Sequence, residues 1–241
     1  MGRYSVTKKR KDLEREIAGR LGVSIPDGEG AERYNVAPTQ EVLAVVQDRD
    51  GRRARLLRWG LVPHWSAEPA AGLTMINARA ETLSEKPAYR DLVARGSRRC
   101  LVLADGFYEW VRSEDPRQPR QPLRFSLDGG GSFCFAGLWT KWRGSGAAVS
   151  SCTIVTTGAN ELVAPLHDRM PVVLTEASSW QAWLDPGLDA EAVAPLLTPL
   201  PADRLAVAPA NPALNSWEHE GPDCLVAPAS GPAAGPSSRG T

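Results

Sequence analysis

Short strand-like runs fill the middle of this sequence and constrain its fold more than any other feature. EVLAVVQ and RARLLRW are joined by DRDG and predict a hairpin. Further strands are predicted at RCLVLA, FYEWV, LRFSL, SFCFAGLW, SCTIVTT and RLAVA. Because these runs are broken by Pro-rich or Gly-rich turns and do not alternate regularly with helices, they predict one α+β domain built on an antiparallel sheet that could close toward a barrel.

Helices are expected to be few. KKRKDLEREIAGRLG places Leu13, Ile17 and Leu21 on one face and stops at Gly22, which predicts an amphipathic helix with a glycine C-cap. Shorter helices are predicted over PAYRDLVARG, over TEASSWQAWL beginning at Thr175, and over LDAEAVAPLL. The tail PASGPAAGPSSRGT has too few apolar residues to fold. We therefore expect a domain over 1–225 and a disordered tail over 226–241.

The composition indicates a protein with one sizeable core and no membrane segment. With 42% hydrophobic residues, the 241 residues can bury a substantial core. No run approaches the roughly 20 apolar residues that span a bilayer, and no secretory leader pattern is present, so we expect a cytoplasmic protein with no membrane partner. The four cysteines have no CxxC spacing, which fits a reducing compartment: Cys100, Cys134, Cys152 and Cys224. The first three lie in apolar runs, which predicts that their thiols are buried.

Metal and cofactor chemistry is not indicated by the sequence. His64, His167 and His219 share no ligand spacing with each other or with a cysteine. The glycine run DGGGS at 128–132 lacks the Lys and Ser or Thr of a phosphate loop, and no G-x-S-x-G elbow occurs. We expect no metal and no cofactor.

The formal net charge of zero conceals an asymmetry along the chain. Residues 1–125 carry 23 Lys+Arg and 17 Asp+Glu, or +6, and the remainder carries 5 and 11, or −6. Most of the basic residues are arginines, which suit bidentate phosphate contacts. This distribution indicates an anionic ligand on one face, and a solvated arginine-rich surface is the alternative.

Three stretches place polar side chains where a plain core would not need them. In MINARAET, Asn77 and Arg79 lie two apart and therefore on one side of an extended segment. In ADGFYEW, Glu109 lies in an aromatic strand, where burial should raise its pKa and suit it to general acid and base catalysis. In APLHDRMPVVL, His167 can exchange protons near neutral pH. Each also has an ordinary structural interpretation: a hydrogen-bonded loop residue, or an ion-paired glutamate in a strand.

Seven motifs then occur in order along the chain: GRY, YNVAPTQ, LRWGLVPHW, INARAET, RRCLVLADGFYEW, FAGLW and CTIVTTGANELVAPLHDRMPVVL. Together they resemble the SOS response-associated peptidase (SRAP) family, the abasic-site processing proteins. The resemblance runs from residue 2 to about residue 185, and the family's last strand is expected within 204–225.

The resemblance implies both a fold and a reaction. The fold is a single α+β domain with a twisted, barrel-like, mainly antiparallel β-sheet flanked by helices and a basic cleft for single-stranded DNA. The reaction belongs to DNA repair: self-proteolytic removal of the initiator Met exposes a cysteine whose amine forms an imine with the ring-opened abasic site. The thiol then closes a thiazolidine, which leaves a covalent DNA–protein crosslink. The implied partner is single-stranded DNA containing abasic sites, bound by a monomer.

Residue roles follow only from the same resemblance. Asn77 resembles the asparagine that positions the terminal amine, Glu109 the acid/base, and His167 the residue that assists deprotonation and reversal. The nucleophile belongs at the end of the chain, at Met1 or Gly2. The residues expected to contact DNA are Arg3, Pro38, Thr39, Trp59, Trp65 and Arg79.

The sequence departs from the family at the nucleophile, because Met1 stands where a cysteine is expected. An engineered deletion or modified residue, a mis-specified start, and a natural member without the thiol all remain open. An α-amine, with an ordinary pKa of about 7.7–8.0, is neutral at pH 7 far more often than a lysine at about 10.4 and can still attack an aldehyde. As written, the chain is expected to form at most an imine, through Met1 or a processed Gly2, with lyase activity by β-elimination. A peptidase acting on other proteins and a non-catalytic single-strand binder are the alternatives.

Overall fold

The computed structural model describes residues 1–27, 29–30, 32–111, 119–144 and 147–228. The α-helices are α1 Arg10–Leu21, α2 Arg90–Val93, α3 Ala177–Leu184 and α4 Ala190–Val193. The strands are β1 Arg3–Val6, β2 Arg33–Val36, β3 Glu41–Asp48, β4 Gly51–Trp59, β5 Asn77–Arg79, β6 Arg99–Ala104, β7 Gly106–Trp110, β8 Pro122–Leu127, β9 Phe133–Trp142, β10 Val149–Gly158, β11 Arg169–Pro171, β12 Val173–Leu174 and β13 Leu205–Pro209. Of the predicted tail, residues 229–241 lie outside the described residues.

The strands form two sheets whose pairing is mainly antiparallel. One sheet has the order β13-β8-β7-β1-β2, and the other has β11-β10-β4-β3-β6-β9-β12, with β5 attached to β10. An additional pairing between β9 and β10 completes a ring through β3, β4, β10, β9 and β6. Only two parallel residue pairs join β10 to β4, so this is a ring of strands and not a fully closed barrel. The expected α+β fold with a barrel-like, mainly antiparallel sheet is confirmed.

The helices agree with the sequence pattern except at one start. Helix α1 buries Leu13, Ile17 and Leu21 and ends at Gly22, whose φ of 67° is the left-handed conformation that glycine adopts without strain. Helix α3 follows an N-cap at Glu176, so its predicted beginning at Thr175 was wrong. None of the helices in the described ranges is both long and apolar enough to cross a bilayer.

Buried Arg99, on strand β6, connects helices α2 and α3 to the sheet through hydrogen bonds. Its side chain is fully buried and donates hydrogen bonds to backbone carbonyls of Trp183 (2.6 Å) and Val93 (2.9 Å). Two more go from Nη2 to the carbonyls of Asp185 (2.5 Å) and Leu188 (2.7 Å). Burial lowers the pKa of this guanidinium. The single side chain thus satisfies carbonyl groups at the ends of α2 and α3, which would otherwise be buried without partners.

Asp105 fixes the first strand, and with it the start of the chain. This carboxylate, 5% exposed, accepts hydrogen bonds from Ser5 Oγ (2.8 Å) and Thr7 Oγ1 (2.7 Å), and from the backbone N–H of Thr7. Arg124 Nη2 lies 3.0 Å from Asp105 Oδ1 and forms an ion pair with it. The Arg124 side chain also passes so close to Gly106 that a Cβ at position 106 would lie 2.6 Å from Arg124 Nε. Strand β1 is therefore held against β7, in the register that pairs Arg3 with Tyr108.

Candidate active site

The first residue of the chain lies at an acidic side chain inside the fold. Because β1 pairs with β7, the N-terminal amine of Met1 comes to lie 3.1 Å from Oε1 of Glu109 on β7. Met1 is 6% exposed and Glu109 is also 6% exposed. An amine and a carboxylate at this distance can exchange a proton directly.

Asn77 holds the terminus from the opposite side. Strand β5 pairs in parallel with β10, and this brings Asn77 Nδ2 within 2.7 Å of the Met1 carbonyl oxygen, to which it donates. Within the described part of the chain, Asn77 Oδ1 and Glu109 Oε1 are buried without a hydrogen bond of good geometry. Asn77 Oδ1 is therefore a buried acceptor without a donor among the described residues, and the Met1 amine at 3.1 Å is the one donor near Glu109 Oε1 there. Unsatisfied buried polar atoms are uncommon in a folded protein.

His167 lies at the rim of the same site, with its side chain 41% exposed. Its Nδ1 is 2.9 Å from the backbone N–H of Arg169 and 3.1 Å from Asp168 Oδ1. Nδ1 also lies 3.1 Å from the Arg169 carbonyl oxygen, so it accepts from the Arg169 N–H in one tautomer and donates to that carbonyl or to Asp168 in the other. The ring is thus held through Nδ1 by its own loop, and Nε2 forms no hydrogen bond with the described residues.

These groups line one open cleft of about 450 Å³, together with Gly2, Arg79, Trp110, Thr156 and Arg169. Asn77, Glu109 and His167, which lie far apart in the sequence, are therefore brought together as expected. Trp110, Thr156 and Arg169 were not among the predicted site residues. Arg169 had a usable signal, since it lies two residues from His167 and an extended chain places such neighbours on one side.

The cleft combines one exposed cation with one paired cation. Arg79 is exposed. Arg169 donates to both carboxylate oxygens of Glu81, at 2.7 and 2.8 Å, and this pairing lowers the pKa of Glu81. Positive charge next to a buried amine and carboxylate makes the cleft suitable for an anionic ligand that carries an electrophile.

Comparison with known proteins identifies the relationship. Residues 1–217 match the sequence model of the family described as SOS response associated peptidase (SRAP). The chain belongs to the SRAP family. It is 39% identical over 226 residues to "Abasic site processing protein YoqW" of Bacillus subtilis, which covers 93% of this chain and 98% of the relative. YobE of Bacillus subtilis is 42% identical over 196 residues, covering 80% and 87%.

More distant SRAP relatives and solved structures agree with this placement. "Abasic site processing protein HMCES" of Xenopus tropicalis is 29% identical over 200 residues, covering 75% of this chain and 59% of the relative. A solved structure of a protein from Bacteroides thetaiotaomicron superimposes with a TM-score of 0.81 at 22% identity, covering 95% of this chain and all of that one. A Bordetella bronchiseptica protein gives 0.71 at 25% identity, covering 88% and 100%. These structures support the SRAP fold.

Of the residues expected at the DNA surface of an SRAP protein, Trp59 is buried in the core, whereas Arg3 is half-buried and hydrogen-bonded within the fold. Trp59 is fully buried, donates from Nε1 to the Ile76 carbonyl at 2.8 Å and packs edge-on against Tyr4, so no base can stack on it. Arg3 lies outside the cleft lining and donates to Asn35 Oδ1 (2.7 Å) and the Leu214 carbonyl (2.9 Å), and burial lowers its pKa. Both support the strands that carry the site.

The other expected contacts are on the surface. Trp65 is 55% exposed, with His64 edge-on at 4.7 Å between ring centroids. Pro38 is half-buried, and Thr39 is exposed with a φ of 75°, a left-handed conformation that costs a non-glycine residue about 1–3 kcal/mol. The Thr39 N–H donates to the Trp59 carbonyl at 2.7 Å, which holds that strained turn in place.

One group of possible metal ligands lies outside the cleft, although no ligand spacing was recognised in the sequence. His219, Asp223 and Cys224 bring one ligand atom each within 4.8 Å of one another. His219 Nε2 lies 2.8 Å from Asp223 Oδ2, so an ordinary histidine–carboxylate contact explains the arrangement. All four cysteines are free thiols and buried, which confirms the expectation for Cys100, Cys134 and Cys152 and adds Cys224.

Proposed function

We propose that this chain processes abasic sites in single-stranded DNA by attacking the ring-opened aldehyde with its N-terminal amine. One observation carries the proposal: the Met1 amine lies 3.1 Å from buried Glu109 while Asn77 holds the Met1 carbonyl at 2.7 Å. Family membership and relatives named abasic site processing proteins support this choice of substrate.

The chemistry requires protons to move in three steps. Glu109 accepts a proton from the terminal ammonium, and the freed nitrogen lone pair attacks the aldehyde carbon. A proton then passes from this nitrogen to the alkoxide oxygen to give a carbinolamine. The carboxylic acid of Glu109 gives its proton to the departing hydroxyl, so ammonium and aldehyde become a protonated imine and water. Asn77 keeps the nitrogen oriented through the Met1 carbonyl, and restricted geometry of this kind can supply several kcal/mol of the barrier reduction. His167 Nε2 at the rim serves the reverse proton transfer.

The strand is held by the exposed groups around the cleft. Arg79 provides a phosphate contact, and Trp65 offers an exposed ring on which an unpaired base can stack. Pro38 and Thr39 form the turn that separates neighbouring bases. Trp59 has no place in this contact surface because its side chain is fully buried. Arg3 provides a second phosphate contact, because it is half-buried and only its Nη1 forms hydrogen bonds with the described residues.

The residue before Gly2 determines the product. A thioether cannot add to an imine, so with Met1 at this position the adduct stops at the imine and can be reduced or can undergo β-elimination. If Met1 is removed by self-processing, the Gly2 amine gives the same class of product. Burial raises the pKa of Cys100, Cys134 and Cys224, which disfavours a thiolate from elsewhere in the chain.

The test is borohydride trapping on a single-stranded oligonucleotide that contains one abasic site, after the intact mass has established the first residue. We expect a shifted band on a denaturing gel with reductant, and no heat-stable band without it. Glu109→Gln should lower the trapping rate by about 10²-fold or more, the usual contribution of a general acid–base group. Exposed Glu161→Gln is the matched control and should trap at the wild-type rate.

Two results would contradict this proposal. Equal affinity for intact and abasic strands, with no trapping and no effect of Glu109→Gln, would favour a non-catalytic binder. Cleavage of unrelated protein substrates that depends on Glu109 would favour a peptidase acting on other proteins.

A further inference from the structure

A second concave surface lies toward the other end of strand β10. We call it the Trp139 cleft; it encloses about 460 Å³ and is lined by Asp48, Arg49, Arg95, Ser97, Arg98, Trp139, Lys141 and Arg143. Lys141 pairs with Ser150 on β10, and Thr156 of the same strand lines the active-site cleft. Six residues at about 3.3 Å each separate the two clefts by roughly 20 Å along the strand.

The cations of the Trp139 cleft have no anionic partners in the described part of the chain. None of its five cationic side chains forms an ion pair or a side-chain hydrogen bond with a described residue: Arg49, Arg95, Arg98, Lys141 and Arg143. By contrast, Arg124, Arg169 and Arg204 each pair with a carboxylate. Asp48, which also lines the cleft, already pairs with Arg53. The positive charge of this surface is therefore uncompensated.

Two of the cations in this cleft come from the second half of the chain, which contains few cationic residues. Residues 126–241 contain 5 Lys+Arg against 11 Asp+Glu, and Lys141 and Arg143 are two of those five. Folding places them beside arginines from the basic first half. Burial and the neighbouring charge of Arg95 both lower the pKa of Arg98, so the cations repel one another in the unbound protein. A bound polyanion relieves that repulsion.

Trp139 forms the apolar part of this cleft. The residue is 5% exposed, and the guanidinium carbons of Arg55 and Arg98 each lie 5.3 Å from its ring centroid. The ring is therefore already in contact with two cations and offers no free face for a stacked base, so the exposed groups that a ligand meets here are mainly cationic.

We propose that the Trp139 cleft binds the phosphate backbone of the DNA strand that extends from the active-site cleft. The identity of this polyanion rests on the proposed function. Guanidinium groups match phosphate geometry bidentately, and such contacts carry no sequence information. A strand stacked as in a duplex rises about 3.4 Å per nucleotide, so the distance between the clefts corresponds to at most about six nucleotides, and to fewer in an extended single strand.

The test compares three variants on intact, fluorescently labelled single strands of about 30 and about 3 nucleotides, the shorter of which cannot span both clefts. The neutralised variant is Arg95→Gln, Lys141→Gln and Arg143→Gln, all at exposed positions. The matched control, Lys11→Gln, Arg15→Gln and Arg204→Gln, also removes one lysine and two arginines, none of which lines the cleft. A charge-conserving variant carries Arg95→Lys, Lys141→Arg and Arg143→Lys. Melting curves confirm that each is folded.

We expect the neutralised variant to bind the long strand about tenfold or more weakly at low salt. Its plot of log affinity against log salt should be shallower by about 2, because three lost phosphate contacts contribute about 0.7 each. Binding of the short strand should not change, and the control and charge-conserving variants should keep the wild-type slope.

The proposal is overturned if the neutralised variant matches the control on the long strand. It is also overturned if the charge-conserving variant weakens binding as much as the neutralised one. A third contrary result would be that the neutralised variant loses affinity for an RNA strand of equal length but not for the DNA strand. Failure of the proposed function is a separate outcome: borohydride trapping would be absent on an abasic short strand, while the charge-dependent loss on the intact long strand would still be measured.

Discussion

Replacement of Asp105 tests whether the first strand positions the reacting amine. Its carboxylate accepts hydrogen bonds from Ser5 and Thr7 and pairs with Arg124, whose side chain is 18% exposed against 6% for Asp105. Asp105→Ala removes all of these acceptors at once. Because it leaves the half-buried Arg124 guanidinium without its carboxylate and the buried Ser5 hydroxyl without its acceptor, we expect a loss of about 3–5 kcal/mol in the free energy of unfolding.

The assay is urea unfolding followed by fluorescence or circular dichroism, with thermal melting as a second measurement. For a chain of this size each kcal/mol lowers the melting temperature by about 2–4 °C, so the expected decrease is about 6–20 °C. Exposed Asp128→Asn is the control and should stay within about 0.5 kcal/mol of the wild type. At a temperature where the variant is fully folded, its trapping rate should still be lower, because β1 is less firmly held.

A double-mutant cycle decides whether the reasoning is correct. If Asp105 and Arg124 act as a pair, the double variant Asp105→Ala with Arg124→Met should cost at least about 1 kcal/mol less than the sum of the single variants. Additive costs, or a cost below about 1 kcal/mol for Asp105→Ala alone, would refute the view that this carboxylate fixes the strand. Unchanged trapping by a folded Asp105→Ala variant would refute its link to the active site.

Three further predictions concern stability and thiol reactivity. Arg99→Met should cost about 3–5 kcal/mol in urea unfolding because buried carbonyls lose their donor, and Arg99→Lys should cost less. Glu81→Gln should lower the free energy of unfolding at pH 7, measured in urea. Because pairing with Arg169 lowers the pKa of Glu81, the difference in unfolding free energy between this variant and the wild type should narrow as pH falls through and below about 4. A thiol reagent at pH 7 should label the native protein much more slowly than the urea-unfolded protein, with mass spectrometry locating the label, since all four thiols are buried: Cys100, Cys134, Cys152 and Cys224.

Local periodicity predicts the regular elements well and the irregular ones poorly. Helix α1 follows from the spacing of Leu13 and Ile17, because it buries one face. The hairpin of β3 and β4 follows from two runs rich in apolar residues joined by a turn, and β3 buries both of its faces from Val42 to Val46. Strand β5 has only three residues and exists through its pairing with β10, a contact that no local pattern encodes. The meeting of Asn77 with the chain terminus depends on that pairing.

The resemblance predicts the residues of the cleft better than their exposure. Trp59 follows Leu57 by two residues on β4, and both are fully buried, so the alternation in RARLLRW already indicates the inner face. Arg3 is adjacent in sequence to the cleft, yet its side chain reaches Leu214, near the far end of the described chain. Such long-range partners are set by tertiary packing and are invisible to motif spacing.

The active site is assembled from segments that are distant along the chain, and this links catalytic competence to the completion of folding. Asn77 contacts a residue 76 positions away, and Glu109 and His167 come from two further segments. Closing loops of this length is slow compared with forming local helices and hairpins. During refolding, trapping activity should therefore return no earlier than the pairing of β5 with β10. The rate at which borohydride trapping returns would then measure this late step of folding.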